Sequence, residues 1–295
     1  MAFLSSVEYL AMVLVFGNLM QGLWRQAVFA AAMLASVGLS SVTAGAAEKR
    51  DCRQRSISEL KALSPDGYAI YTRIADKKFF LSWITCDDIQ LGLASAVHES
   101  VHHLAEDHDA FPLLRAAGVK RPHEVSKFFA PSVLAARFDR DDGFAETYLK
   151  PGHSSSASDF LYLLDELNAY SHDLNAAVAL NGLHPVDQQV DHRDGLAALM
   201  AFVAAYVETA ERKYPATWAG LQQPAVAGTV SALWGQAETV MAASCGIPDF
   251  GTRDRGYIRR FCQPQARASL ARIIGRAPAC PTQCLISRQA DSSSR

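Results

Sequence analysis

The sequence lacks an excess of charge of either sign. Its 28 lysine and arginine residues nearly balance 30 aspartate and glutamate residues, which leaves a net charge of −2. A chain without a positive excess has no general attraction to nucleic acid, so we expect no nucleic-acid partner. Charged residues make up only 20% of the chain and hydrophobic residues 49%, which is enough for a substantial buried core.

The first 46 residues have the pattern of a secretory signal peptide. Arg25 precedes the apolar run 27–39, and the small residues 44–46 form a cleavage site near Ala46. Residues 1–19 are apolar and carry no basic residue, so they resemble an over-long start of the chain. An N-terminal anchor made of both apolar runs is the alternative. The pattern predicts a secreted or periplasmic protein without stable membrane association after signal cleavage.

Cysteine is absent from the first 51 residues, and the six cysteines that follow do not form the two CxxC pairs of a cysteine-rich zinc site. The charged residues 49–51 in front of Cys52 argue against a lipid-anchored cysteine. An even number of cysteines in an exported chain predicts disulfides. Pairing each cysteine with a near neighbour in the sequence predicts the bridges Cys52–Cys86, Cys245–Cys262 and Cys280–Cys284.

Residues 98–102 read His-Glu-Ser-Val-His, an HExxH motif, within a segment that is predicted to form one helix from 88 to about 107. Positions i and i+4 of a helix project from the same face, so His98 and His102 can bind one Zn²⁺ while Glu99 stands beside the metal-bound water. Burying these side chains without partners would be costly, which favours a metal here. The alternative is a helix with incidental histidines.

A second long helix is predicted from 158 or 159 to about 181, and it carries Glu166. The two helices together resemble the gluzincin metallopeptidases, zincins whose third zinc ligand is a helical glutamate. The segment 165–170, Asp-Glu-Leu-Asn-Ala-Tyr, is similar to exported bacterial metallopeptidases that combine HExxH with such a helix. The resemblance covers about residues 83–180.

The resemblance implies zinc as the cofactor, His98, His102 and Glu166 as its ligands, and Glu99 as the catalytic base. The chain departs from the NExxSD pattern of gluzincins, because Ala169 and Tyr170 replace the serine and the aspartate. The aspartate that usually supports a ligand is therefore missing from its place, and Asp173 is a candidate to replace it.

Two other residues compete with Glu166, since a catalytic zinc needs three protein ligands and an open position. His108 falls at the last position of HExxHxxGxxH, the metzincin motif, but Ala105 replaces the glycine at which that helix turns. Glu146 is the other candidate. Three tyrosines are available to stabilise an oxyanion: Tyr148, Tyr162 and Tyr170. The candidates to orient the ligands are His103, His153, His172, Asp173 and His192.

The predicted fold class is α+β and predominantly helical, with a small antiparallel sheet packed before the HExxH helix. Segments 68–74 and 79–85 are rich in aromatic and β-branched residues and predict the hairpin of that sheet. Further helices are expected at 194–213, 226–244 and 257–274. Residues 47–285 are expected to form one zincin-like metallopeptidase domain with a disulfide-bonded helical C-terminal part, and 286–295 a disordered tail.

These features predict zinc-dependent hydrolysis of peptide bonds by an exported protein. Glu99 would take a proton from the zinc-bound water and deliver it to the leaving amine. A peptide or protein substrate can add to the edge of the predicted sheet. Two alternatives stay open: a zinc amidase that acts on non-protein amides, and an exported disulfide-bonded helical protein without catalysis.

Overall fold

The computed structural model describes residues 40–286 except 154 and 186–187. Most of the predicted signal peptide and of the predicted tail therefore lies outside the described residues. The chain divides into the units Met1–Ala46 and Ala47–Arg295, and apart from the first residues of one helix the features below belong to the second unit. Among the described residues, no helix combines the length and apolar character needed to cross a membrane.

The described chain is predominantly helical with one small sheet, which confirms the predicted α+β class. Its first part consists of α1 Ser40–Leu63, α2 Pro65–Arg73, α3 Lys77–Ser82, α4 Ile89–Asp107, β1 Ala110–Leu113 and β2 Ala116–Lys120. The second part consists of α5 Gly143–Leu149, α6 Phe160–Ala179, α7 His192–Lys213, α8 Pro215–Leu221, α9 Pro224–Ser244, α10 Asp254–Phe261, α11 Pro264–Ile274 and α12 Thr282–Leu285. Short 3₁₀ turns cover His123–Lys127, Pro131–Arg137 and Asn181–Leu183. The strands β1 and β2 pair antiparallel.

The hairpin predicted at 68–74 and 79–85 is wrong, because these segments lie largely in α2 and α3. Side-chain oxygens of Ser64 and Asp76 cap the two helices. Phe80 is fully buried in the core, so capping and burial outweigh the β propensity of these short segments. The sheet follows α4 instead of preceding it. The predicted addition of a peptide to a hairpin before the HExxH helix therefore has no structural basis.

The two long helices of the motif region have nearly the predicted bounds. Asp88 caps α4 by accepting a hydrogen bond from the backbone of Leu91 at 2.9 Å. Asp159 caps α6 in the same way. The predicted helix 257–274 is instead two helices, since Pro264 has no backbone N–H to continue the first one.

Helix α6 lies in the centre of the protein, with 15 of its 20 residues buried. Its small residues Ala169 and Ala176 contribute to a core formed with α1–α4. Its leucines, such as Leu164 and Leu167, contribute to a larger core with α7, α9, α10 and α11. A helix with apolar residues on every side is typical of one without a solvent face.

Buried polar bonds fix the position of α6. The Nε2 atom of His172 lies 3.0 Å from the carbonyl oxygen of Pro112 in β1. Burial lowers the pKa of His172 to about 4, so the ring is neutral at physiological pH and donates this hydrogen bond. Gln236 of α9 donates to Asn168 at 2.9 Å. These bonds hold α6 against elements on two sides.

The structure contains three disulfides, and no described cysteine is free. The predicted Cys52–Cys86 bridge is confirmed. The other two predicted pairs are wrong, because the bridges are Cys245–Cys284 and Cys262–Cys280. Helix α10 separates Cys245 from Cys262, and the returning chain brings the Cα atom of Cys284 within 4.6 Å of that of Cys245. Three disulfides indicate an oxidising environment.

Removing either C-terminal bridge should destabilise the fold by an amount that depends on the length of the closed loop. Loop entropy predicts a loss of about 3 kcal/mol for Cys262→Ala with Cys280→Ala, and about 4 kcal/mol for Cys245→Ala with Cys284→Ala. Urea unfolding of the oxidised proteins measures both. The mixed variant Cys245→Ala with Cys262→Ala is the control for pairing. It removes one cysteine from each bridge, so the thiols of Cys280 and Cys284 should be left without their partners and react with a thiol reagent. A Cys280–Cys284 bridge in the unmutated oxidised protein would contradict the observed pairing.

Candidate metal centre

His98 and His102 on α4 and Glu166 on α6 come together in the structure. The Nε2 atoms of the two histidines are 3.2 Å apart. The Oε2 atom of Glu166 lies 3.6 Å from the first and 3.7 Å from the second. Residues that are more than 60 positions apart in the sequence thus present three ligand atoms to one point.

The spacing of these three atoms fits a zinc ion. Donors around a tetrahedral zinc with bonds of about 2.0–2.2 Å lie about 3.3–3.6 Å from one another. Glu166 Oε2 is buried and has no hydrogen-bond partner among the described residues, although its side chain is only 4% exposed. A buried carboxylate oxygen that accepts no hydrogen bond is costly. A metal ion bound between the imidazoles would satisfy this atom.

Asp165 orients one of the two histidines. Its Oδ2 atom lies 2.8 Å from Nδ1 of His102. With the proton on Nδ1 and donated to Asp165, the Nε2 lone pair of His102 points towards Glu166 and can bind a metal. This is the carboxylate–histidine arrangement that commonly supports a zinc ligand.

The site favours positive charge. Burial alone would lower the pKa of His102, but the hydrogen bond to Asp165 and the charges of Glu166, Asp165 and Glu99 raise it to about 9. Burial alone would raise the pKa of Glu166, while His98, His102 and the hydrogen bond from Tyr162 bring it below its usual value. The same carboxylates that stabilise an imidazolium also stabilise a bound cation.

Glu99 lies beside this group and is half-buried on α4. It is close enough to His102, Tyr148 and Tyr162 to influence their pKa values. Its carboxylate forms no hydrogen bond or ion pair with any residue of the described part of the chain. Glu99 is therefore available to accept a proton from a water molecule.

The three tyrosines considered from the sequence all lie near Glu166. Tyr162 lies close enough to its carboxylate to help lower the pKa of Glu166. The hydroxyl groups of Tyr148 and Tyr170 are 2.8 Å apart. The ring of Tyr170 meets the ring of His98 edge to face, with centroids 4.6 Å apart. Burial is the main cause that raises the pKa of all three tyrosines, so they remain protonated donors at neutral pH.

Gly195 of α7 makes room for Tyr170. A Cβ atom at this position would lie 2.1 Å from Cε1 of the tyrosine ring. The ring therefore packs directly on the backbone of α7, and it also contacts His98, Tyr148 and Phe144. Helix α7 supplies none of the three candidate ligands, but its backbone positions a side chain that contacts His98.

The competing ligands from the sequence do not reach the site. His108 is the C-terminal cap of α4 and is exposed. Glu146 lies on α5, where it pairs with Lys150 and lies 3.3 Å from Nε2 of His153. The structure assembles Glu166, and neither His108 nor Glu146, with the two histidines.

The residues proposed to orient the ligands also have other partners. Asp173 lies 2.6 Å from Nδ1 of His192, so it does not replace the missing aspartate beside a ligand. His103 packs on the ring of Phe79. Sequence reasoning missed the role of Asp165, although its place next to Glu166 on the same helix was a usable signal. No sequence pattern singled out Gly195.

No known protein family, curated protein or solved structure matches the chain.

Substitutions of the candidate ligands should show whether Glu166 or His108 is the third metal ligand. We expect about one zinc per chain in the purified protein, as measured by elemental analysis. His102→Ala and Glu166→Ala should lose the metal, because two remaining ligands bind zinc weakly. His108→Ala is the matched control and should retain it. Metal loss in His108→Ala with retention in Glu166→Ala would contradict the assignment.

Gly195→Ala should displace Tyr170 and weaken both the fold and the metal site. Overpacking of this kind costs about 1–3 kcal/mol, and the shifted ring should also lower zinc affinity in a chelator competition. Gly228→Ala is the control: Gly228 is exposed in α9 with nothing within 4 Å of a new Cβ. It should stabilise the helix by about 0.5–1 kcal/mol. In a protein that already carries Tyr170→Ala, Gly195→Ala should lower the free energy of unfolding only slightly, because the clashing ring is gone. If Gly195→Ala destabilised this variant as much as the parent, the clash would be disproved.

Proposed function

We propose that the protein is an exported zinc-dependent hydrolase that cleaves peptide bonds. The observation that carries the proposal is the buried Oε2 atom of Glu166, which accepts no hydrogen bond and faces the Nε2 atoms of His98 and His102 at 3.6 and 3.7 Å. Three donors at this spacing leave one position of a tetrahedral zinc for water or substrate. That is the coordination of a catalytic zinc, whereas a structural zinc has four protein ligands.

The arrangement of the ligands on two helices resembles that of gluzincins. Two histidines four residues apart on α4 supply one side of the site, and a glutamate on α6 supplies the other. Asp165, which precedes this glutamate, takes the supporting place beside His102. In this proposal the chain uses a different aspartate from the NExxSD pattern for the same purpose.

Hydrolysis of an amide needs an activated water, a stabilised oxyanion and a proton for the leaving nitrogen. A bound zinc would acidify a water molecule and polarise the substrate carbonyl. Glu99 accepts a proton as the water oxygen bonds to the carbonyl carbon, and delivers it to the nitrogen as the C–N bond breaks. The tyrosine hydroxyls supply hydrogen-bond donors near this point.

The disulfides support the proposed location. All three lie in the unit after Ala46, and such bridges persist in oxidising compartments. Together with the signal-peptide pattern of the sequence, they support a secreted or periplasmic enzyme.

Glu99→Gln should separate catalysis from metal binding. We expect it to reduce kcat by about 10²–10⁴-fold, which is the usual contribution of a general base, with zinc content unchanged. Activity is measured with a broad mixture of quenched fluorescent peptides and with non-peptide amides. Glu106→Gln, an exposed glutamate on the same helix, is the control and should keep full activity.

Four results would distinguish the alternatives. Cleavage of the amides alone would identify an amidase. A zinc-loaded parent that cleaves nothing, or a Glu99→Gln variant with full activity, would reject the proposed mechanism. A folded parent without zinc would reject the enzyme altogether.

A further inference from the structure

A cavity of about 560 Å³ adjoins the metal centre, and Tyr148 and Tyr170 line it. Because the ring of Tyr170 also packs on His98, a single aromatic ring separates a metal ligand from the cavity. An extended peptide advances by about 3.5 Å per residue. A substrate whose scissile bond lies at the metal would therefore reach the cavity within about two or three residues.

The cavity carries an excess of negative charge, with Asp141, Asp191 and Asp194 facing one cation, Arg253. Asp194 is already engaged, since its carboxylate accepts hydrogen bonds from the backbone N–H groups of 252–254. Arg253 donates to the backbone oxygen of Asp141. The carboxylates of Asp141 and Asp191 form no hydrogen bond or ion pair within the described ranges, and both residues are exposed. Two carboxylates are therefore available to a ligand.

The rest of the lining combines three aromatic rings with Gly143, Thr147 and Thr252. The rings of Phe144 and Tyr148 lie nearly parallel, at an interplanar angle of 10°. Aromatic faces attract cations, and they also cover the aliphatic part of a lysine or arginine side chain. A cavity with aromatic walls and free carboxylates thus matches both parts of such a side chain.

Two other ligand classes fit less well. In the described structure, the only group of side chains with ligand atoms close enough to share a metal ion is the one at His98. The cavity carboxylates are therefore not arranged as a second metal site. An anionic ligand would meet like charge from Asp141 and Asp191 with one arginine in compensation.

We infer that this cavity binds a lysine or arginine side chain of the substrate, about two or three residues from the cleaved bond. The place of this side chain in catalysis rests on the proposed function. The volume and charge of the cavity do not depend on the proposed function. Binding of a cationic side chain to the cavity can therefore be tested without any cleavage.

The first test is binding of N-acetyl-argininamide against its uncharged analogue N-acetyl-citrullinamide, measured by NMR titration of the full mature chain. We expect the arginine compound to bind about tenfold more tightly at low salt, with a smaller difference at high salt. Asp141→Asn with Asp191→Asn should remove the difference, and each single change should remove part of it. Glu124→Gln, an exposed charge that lines neither the cavity nor the metal centre, should leave it intact. Equal binding of the two compounds, or a preference that survives the double change, would overturn the inference.

The second test uses zinc-loaded protein and peptide pairs with lysine or norleucine at each position near the cleaved bond. We expect kcat/KM to be about tenfold higher with lysine at one such position, and the double variant to lose this preference. Selective binding of N-acetyl-argininamide without cleavage of any peptide would reject the proposed function and leave the cavity as a cation site. Cleavage without charge preference would reject the inference and leave the function.

Discussion

The burial of the Glu166 carboxylate beside two imidazoles is the constraint on which the rest of the structure depends. A buried carboxylate without compensation would cost several kcal/mol, so the surrounding elements have to bring positive charge or donors to it. Helix α4 brings His98 and His102, and Tyr162 brings a hydroxyl. Asp165 in turn orients His102. The apolar residues of α6 contribute to two cores, and its packing on α4 brings the carboxylate to the imidazoles.

The helices that form the site could be predicted from the sequence. Both α4 and α6 are long, have apolar residues at helical spacing and begin at an aspartate that caps the first turn. The HExxH spacing places two histidines on one face of α4, and Glu166 was the favoured third residue among three. Its choice over His108 and Glu146 required the three-dimensional packing of α6 on α4.

The two short helices, the C-terminal disulfides and the role of Gly195 could not be predicted from the sequence. Residues 68–74 and 79–85 have β propensity, but the burial of Phe80 and the caps of α2 and α3 are tertiary and local effects that outweigh it. The C-terminal disulfides follow the path of the chain around α10, whereas sequence distance favoured other pairs. The role of Gly195 depends on where the ring of Tyr170 lies, which no local pattern encodes.

Because α6 has almost no solvent face, the rotational phase of this helix is fixed along its whole length. Inserting one residue ahead of Glu166 would turn the following side chains by about 100° around the helix axis. The same rotation would move the carboxylate of Glu166 away from the imidazoles and the leucines and alanines out of their two cores. The geometry of the candidate site and the packing of both cores thus depend on the same rotational setting of one helix, so a change in the length of α6 would disturb them together.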